Sequence, residues 1–159
     1  MAVYFFDSSA LVKRYVAEVG SAWVVSITDP AAGHRIYVAN IAAVEVPAAV
    51  RKRVRMGDIT PTQAATAIAD FENDYASQYN AIQVTDAVIA NAATLTSRHP
   101  LRAYDAMQLA SALEVHRQIQ ALGQPAAGLL TLTFVSADDD LNDAAKAEGL
   151  ADDNPNNYP

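Results

Sequence analysis

Cysteine is absent from this 159-residue chain. That excludes disulfides, thiolate nucleophiles and thiolate metal ligands, and it suits a reducing, cytoplasmic setting. Histidine is scarce too: His34, His99 and His116 stand singly in polar contexts, too scattered for a closed zinc site. No apolar stretch reaches the roughly 18 residues a membrane span requires. The opening residues lack the charged segment and long apolar core of a secretion signal. Basic residues number 11 against 18 acidic ones, a net charge of -7, which argues against a protein that coats nucleic acid through bulk charge. No repeat, low-complexity block or second domain is visible.

What is present is a chain long enough for one domain, able to bury roughly 70% of its unfolded surface. Short apolar runs alternate with amphipathic stretches. Val3 to Phe6, Ile36 to Ala39, Ala81 to Val84 and Leu129 to Val135 read as strands; the last is apolar on both faces, as in a covered parallel sheet. Ser8 and Ser9 offer caps to a short helix, and Ser21 opens a second that stops by Pro30. A third is expected from about Ile41 to Met56, capped by Asn40 and ended by Gly57, with Pro47 causing a kink or a late start. Thr60-Pro61-Thr62-Gln63 combines a capping box with proline at the first helical position. Further helices are expected from Thr85 to His99, from Tyr104 onward, and through Leu141 to Gly149, with a loop over Gly123 to Gly128. This alternation predicts a three-layer α/β/α sandwich around a short, mainly parallel sheet spanning residues 1–150, with residues 151–159 as a loose tail.

Three of the apolar runs end in an aspartate: Asp7, Asp105 and Asp138. A fourth carboxylate, Glu45, is embedded among Ala42, Ala43, Val44, Val46 and Ala48. Taken singly, each aspartate has an ordinary role open to it as a helix cap or first-turn acid, and Glu45 as an arginine's partner. A parallel sheet, however, collects its strand ends on one rim. Four carboxylates there repel one another unless a divalent cation neutralises them, and an all-oxygen donor set suits Mg²⁺ or Mn²⁺. Ser8, Ser9 and Ser136 are either turn residues or hydroxyls that orient the acids. Asp139 and Asp140 are expected in solvent, within reach of such a metal at most. Lys13, Arg14, Arg51, Lys52, Arg53 and Arg102 form local positive patches, either helix-end charges or phosphate contacts.

The segments Tyr4-Phe5-Phe6-Asp7-Ser8-Ser9-Ala10-Leu11-Val12-Lys13, Ala43-Val44-Glu45-Val46, Leu101 to Ala110 and Phe134-Val135-Ser136-Ala137-Asp138 occur in an order and spacing that resemble PIN-domain proteins, most closely the VapC-type toxins of bacterial toxin-antitoxin pairs. The resemblance implies a Mg²⁺- or Mn²⁺-dependent endoribonuclease with Asp7, Glu45, Asp105 and Asp138 as catalytic and metal-binding acids. It also implies an RNA substrate, a homodimer and a cognate antitoxin laid along the active-site groove. Pro47, directly after Val46, departs from the ordinary helix former expected there. Two alternatives stay open: another metal-dependent phosphohydrolase of the haloacid-dehalogenase kind, which wants an aspartate where Ser9 stands, and a PIN-fold binding module without catalysis.

Overall fold

The computed structural model describes residues 1–121 and 131–159; the expected Gly123 to Gly128 loop and the first residues of the Leu129 to Val135 strand lie outside them. Within the described residues five parallel strands, β1 (Val3–Phe6), β2 (Arg35–Ala39), β3 (Asn80–Ile82), β4 (Leu132–Val135) and β5 (Ala151–Asp153), form one sheet in the order β3-β2-β1-β4-β5. Seven helices surround it: α1 (Ser8–Leu11), α2 (Ser21–Thr28), α3 (Ala42–Met56), α4 (Pro61–Ser77), α5 (Asp86–Arg98), α6 (Ala103–Ala121) and α7 (Asp139–Ala147).

The period-two alternation of a strand splits the core into two layers. Val3 and Phe5 of β1 pack with Leu132 and Phe134 of β4 under α5, α6 and α7, the Phe5 and Phe134 rings stacking at 5.8 Å. Phe6, Ile36, Val38 and Val135 point the other way, toward α1, α3 and α4. Strands buried on both faces read as continuous apolar runs for this reason.

Several local expectations need correcting. Asn40 does not cap α3: its side chain donates to Gln83 Oε1 and accepts from the Val84 amide, tying β2 to the end of β3, while Ile41 occupies the cap position. Nor does α3 start late. It begins at Ala42 and continues through Pro47, whose ring is buried in the α-helical layer. The third strand is shifted to Asn80–Ile82 by its register on Tyr37–Ala39. The expected loose tail is part of the fold: Ala151–Asp153 pairs with Thr133–Val135, and Tyr158 stacks on Trp23 at 4.6 Å. Its polar composition concealed a strand because edge position and side-chain bonds hold it there, not apolar patterning.

The capping box at Thr60 and Gln63 is formed in both directions. Gly57 ends α3 in the left-handed region at φ 81°.

Candidate metal centre

The strand order changes direction between β1 and β4, and the crevice at such a switch point is where open α/β sheets bind ligands. Asp7 leaves β1 there and Asp138 follows β4 closely; the Asp7 amide donates to the Val135 carbonyl at 2.9 Å, stitching the two strand ends together. Asp7 is the N-cap of α1 and Asp138 the N-cap of α7. Glu45 lies in the first turn of α3 and Asp105 in the first turn of α6. Helix starts bring positive dipole ends to the rim, a setting that favours anionic side chains.

Asp7 is 5% exposed. Its Oδ2 accepts from the Ser9 amide at 3.1 Å, from the Ser9 hydroxyl, and from the Ser136 hydroxyl at 3.1 Å. Glu45 Oε2 accepts from the Ser8 hydroxyl at 2.7 Å and from Gln108 Nε2 at 2.6 Å. Asp138 Oδ1 accepts from the Leu141 amide at 3.1 Å. In each of these three carboxylates the second oxygen has no donor among the described residues. None of the four acids takes part in an ion pair among those residues.

The electrostatics follow from that arrangement. Burial pushes the Asp7 carboxyl up to about 6; the Ser9 hydroxyl works against this and the neighbouring Glu45 charge adds to it. Burial also raises Glu45, opposed by bonds from Ser8 and Gln108 and reinforced by Asp105. Asp105 is raised by burial and by Asp138, against the pull of Arg102. The acids therefore interact in a chain from Asp7 to Glu45 to Asp105 to Asp138. They are not gathered into a cage: among the described residues no three His, Cys, Asp or Glu side chains converge closely enough to hold a metal ion by themselves. Mg²⁺ does not need such a cage, because it keeps several waters and binds through one or two carboxylates plus substrate phosphate. The unengaged oxygens of Asp7 and Glu45, on fixed and charge-poor supports, fit that mode.

Other candidates fall elsewhere. Lys13 and Arg14, expected as surface cations, are turned inward. Lys13 is 4% exposed, with Nζ donating to Val19 O and Asn156 Oδ1, each at 2.9 Å. Arg14 is bound to Asp74 at 2.8 Å and to Thr28. Arg53 is engaged by Glu18 and Asp58. Arg14 meets an acid of α4, and Lys13 and Arg53 share Glu18, pairings that pattern reading could not make. Arg51, Lys52 and Arg102 are exposed. Asp139 accepts from Asn154 Nδ2 at 2.6 Å, and Asp140 lies in solvent. Ser9, where a haloacid-dehalogenase-type enzyme would carry an aspartate, is committed to Asp7 and the Ala137 amide.

Sequence reasoning missed Gln108. It is 1% exposed and reaches from the second turn of α6 to Glu45 and to Ser8, the latter at 3.0 Å. A polar residue three positions after Asp105, inside the otherwise apolar stretch Ala106 to Ala110, was the available signal.

No protein-family model matches the chain. Two curated relatives do: Ribonuclease VapC45 from Mycobacterium tuberculosis (strain CDC 1551 / Oshkosh) and Ribonuclease VapC49 from Mycobacterium tuberculosis (strain ATCC 25618 / H37Rv). Each is 34% identical over 115 residues, covering 72% of this chain and 78% of the relative. Among solved structures the fold is similar to FitAcB from Neisseria gonorrhoeae (TM-score 0.63, 15% identity, 96% of this chain and 97% of that one). It is also similar to PAE2754 from Pyrobaculum aerophilum (0.61, 16%, 95% and 83%) and to VapBC2 from Rickettsia felis bound to a DNA fragment from their promoter (0.58, 13%, 96% and 98%). With strand-end acids on a PIN-like parallel sheet, and with this identity over most of its length, the chain belongs to the VapC ribonuclease family.

Proposed function

We propose that the protein is a Mg²⁺- or Mn²⁺-dependent endoribonuclease, the toxin of a toxin-antitoxin pair, hydrolysing RNA phosphodiesters at Asp7, Glu45, Asp105 and Asp138. One observation carries this reading: a buried carboxylate, Asp7, sits at the sheet's switch point with one oxygen held by two serines, the other unengaged, and no cationic side chain paired to it among the described residues. Burying a charge without a partner is costly. The 34% identity to two relatives named as VapC ribonucleases supports RNA as the substrate class.

In this reading Asp7, Glu45 and Asp138, each with an unengaged oxygen, would hold the metal directly or through its waters, with Asp105 completing the negative rim. A bound divalent cation lowers the pKa of attacking water and offsets charge on the phosphoryl oxygens. Ser9 and Ser136 keep Asp7 from turning, and Ser8 with Gln108 does the same for Glu45. Arg51, Lys52 and Arg102 contact phosphates and position the RNA without reading its bases. Local cations of this kind reconcile a nucleic-acid substrate with the net charge of -7. A cognate antitoxin and a second copy of the chain are its partners.

The test is cleavage of RNA by purified, partner-free protein. Activity is expected only with Mg²⁺ or Mn²⁺ and is lost in Asp7→Ala with the fold retained; metal-independent cleavage sinks the mechanism. Induced expression is expected to halt growth with the wild type and not with Asp105→Ala, and a small reading frame encoding an antitoxin is expected beside the gene, its co-expression relieving the arrest.

A further inference from the structure

The β4–α7 connection carries Ser136, which holds Asp7, and Asp138, and between them stands Ala137. Its peptide is gripped from both sides. The Ala137 amide donates to the Ser9 hydroxyl at 3.1 Å, and its carbonyl accepts from Asn156 Nδ2 at 3.2 Å. Asn156 is itself anchored: its Oδ1 accepts from Lys13 Nζ at 2.9 Å, and its amide donates to Asn154 Oδ1 at 2.9 Å. Lys13 is buried, fixed by the Val19 carbonyl at 2.9 Å and lies 3.6 Å from Glu18. The buried ammonium is thus shared among Glu18, one backbone carbonyl and one exposed asparagine.

The rest of residues 151–158 fastens that asparagine in place. The Ser136 amide donates to the Asp153 carbonyl at 3.2 Å, and Asn154 Nδ2 holds Asp139, the neighbour of Asp138. Tyr158 lies flat on Trp23, with 2° between the rings, and donates to Asp153 Oδ2. Gly20 lets the segment approach: at φ +83°, a Cβ there would come within 2.2 Å of the Pro155 carbonyl oxygen. Such contacts are more than an edge strand needs for its own pairing, and they fasten the turn from which Asn156 reaches the Ala137 carbonyl.

We propose that Asn156 is a positioning residue for the carboxylate rim, with Lys13 as its anchor: it fixes the Ala137 carbonyl and through it the direction of Asp138. The inference rests on the metal-centre reading above. Outer supports of metal ligands commonly change affinity by tenfold or more. Asn156 is exposed and lies outside the apolar core, and without it the Lys13 ammonium keeps the Val19 carbonyl and Glu18 as partners.

The experiment is calorimetric titration of Mn²⁺ into the full chain, with thermal unfolding run alongside. Asn156→Ala is expected to bind Mn²⁺ about tenfold more weakly while unfolding cooperatively at a modestly lower temperature, since the Lys13 ammonium loses one acceptor. Asn156→Gln, which keeps both amide functions on a surface side chain, is expected to recover most of the affinity. Asn157→Ala, on the same turn and with no side-chain hydrogen bond among the described residues, is expected to match the wild type. Wild-type affinity in Asn156→Ala, or an equal loss in Asn157→Ala, overturns the proposal. A wild type that binds no Mn²⁺ removes the metal reading itself, and this inference with it.

Discussion

Ser9 and Ser136 lie 127 positions apart in the chain, yet their hydroxyls stand 3.3 Å from one another and both donate to the same oxygen of Asp7. The pair spans the junction of β1 and β4. It explains how a carboxylate 5% exposed is kept oriented without a counter-charge among the described residues.

Asp7→Asn separates chemistry from stability at this point. The amide oxygen can accept the same serine bonds, while the buried charge and its repulsion by Glu45 disappear. Cleavage is expected to fall at least about a hundredfold, as for loss of a preorganised electrostatic group, and the metal-free melting temperature is expected to hold or rise. A melting temperature well below wild type, read by calorimetry, contradicts the account of an uncompensated buried charge.

The raised carboxyl of Asp7 fixes the sign of a pH effect. Its folded value is about 6 against an ordinary 3.8, so the folded state binds the proton more tightly than the unfolded chain does. The stability this contributes is fully present below about 3.8 and is lost as pH rises through about 6; its size is of the order of 2–3 kcal/mol. Metal-free melting curves recorded between pH 4 and 7 are expected to show the decline, and Asp7→Asn to lack it. Mg²⁺ is expected to raise the melting temperature more at pH 7 than at pH 5, because only the charged carboxylate binds it.

Gln108→Leu removes the donor that aims Glu45. Gln108 Oε1 is buried and has no partner among the described residues, so an apolar replacement of similar size also removes an unsatisfied acceptor. Metal affinity is expected to drop about 10- to 100-fold with little change in melting temperature. Unchanged Mn²⁺ affinity in titration calorimetry is the contrary result.

The basic residues divide into two kinds. Arg14→Ala leaves Asp74, whose side chain is only 11% exposed, with its Tyr15 and Gln78 hydrogen bonds but no counter-charge, and is expected to cost about 3 kcal/mol of stability. The double variant Arg51→Ala, Lys52→Ala is expected to leave denaturant unfolding unchanged. It is expected instead to weaken RNA binding and to lower the salt dependence of that binding by about one unit per lost phosphate contact.

Ending the chain at Leu150 tests the tail. It uncovers the edge of β4 and frees Trp23, the single tryptophan, from the Tyr158 ring. A red-shifted emission and a lower melting temperature are expected, together with concentration-dependent aggregation from the exposed strand edge.

Fold class was legible in the sequence because strands buried on both faces must be short apolar runs, and helices between them must carry one apolar stripe. The positions of Asp7 and Asp138 were legible for a related reason: a carboxylate just after an apolar strand marks where a buried element meets the rim. Partnership was not legible. Lys13 looks in sequence like any helix-end lysine, and only the return of residues 151–158 beside β4 gives its ammonium the Asn156 oxygen. Gln108 meets Glu45 across 63 positions, and Arg14 meets Asp74 across 60. Local sequence determines where the chain turns and which faces are apolar, through burial and capping chemistry acting within a few residues. Which charge is matched, which is left unmatched and which oxygen of Asp7 stays unengaged is decided by contacts between elements far apart in the chain, and those exist only once the sheet has closed around them.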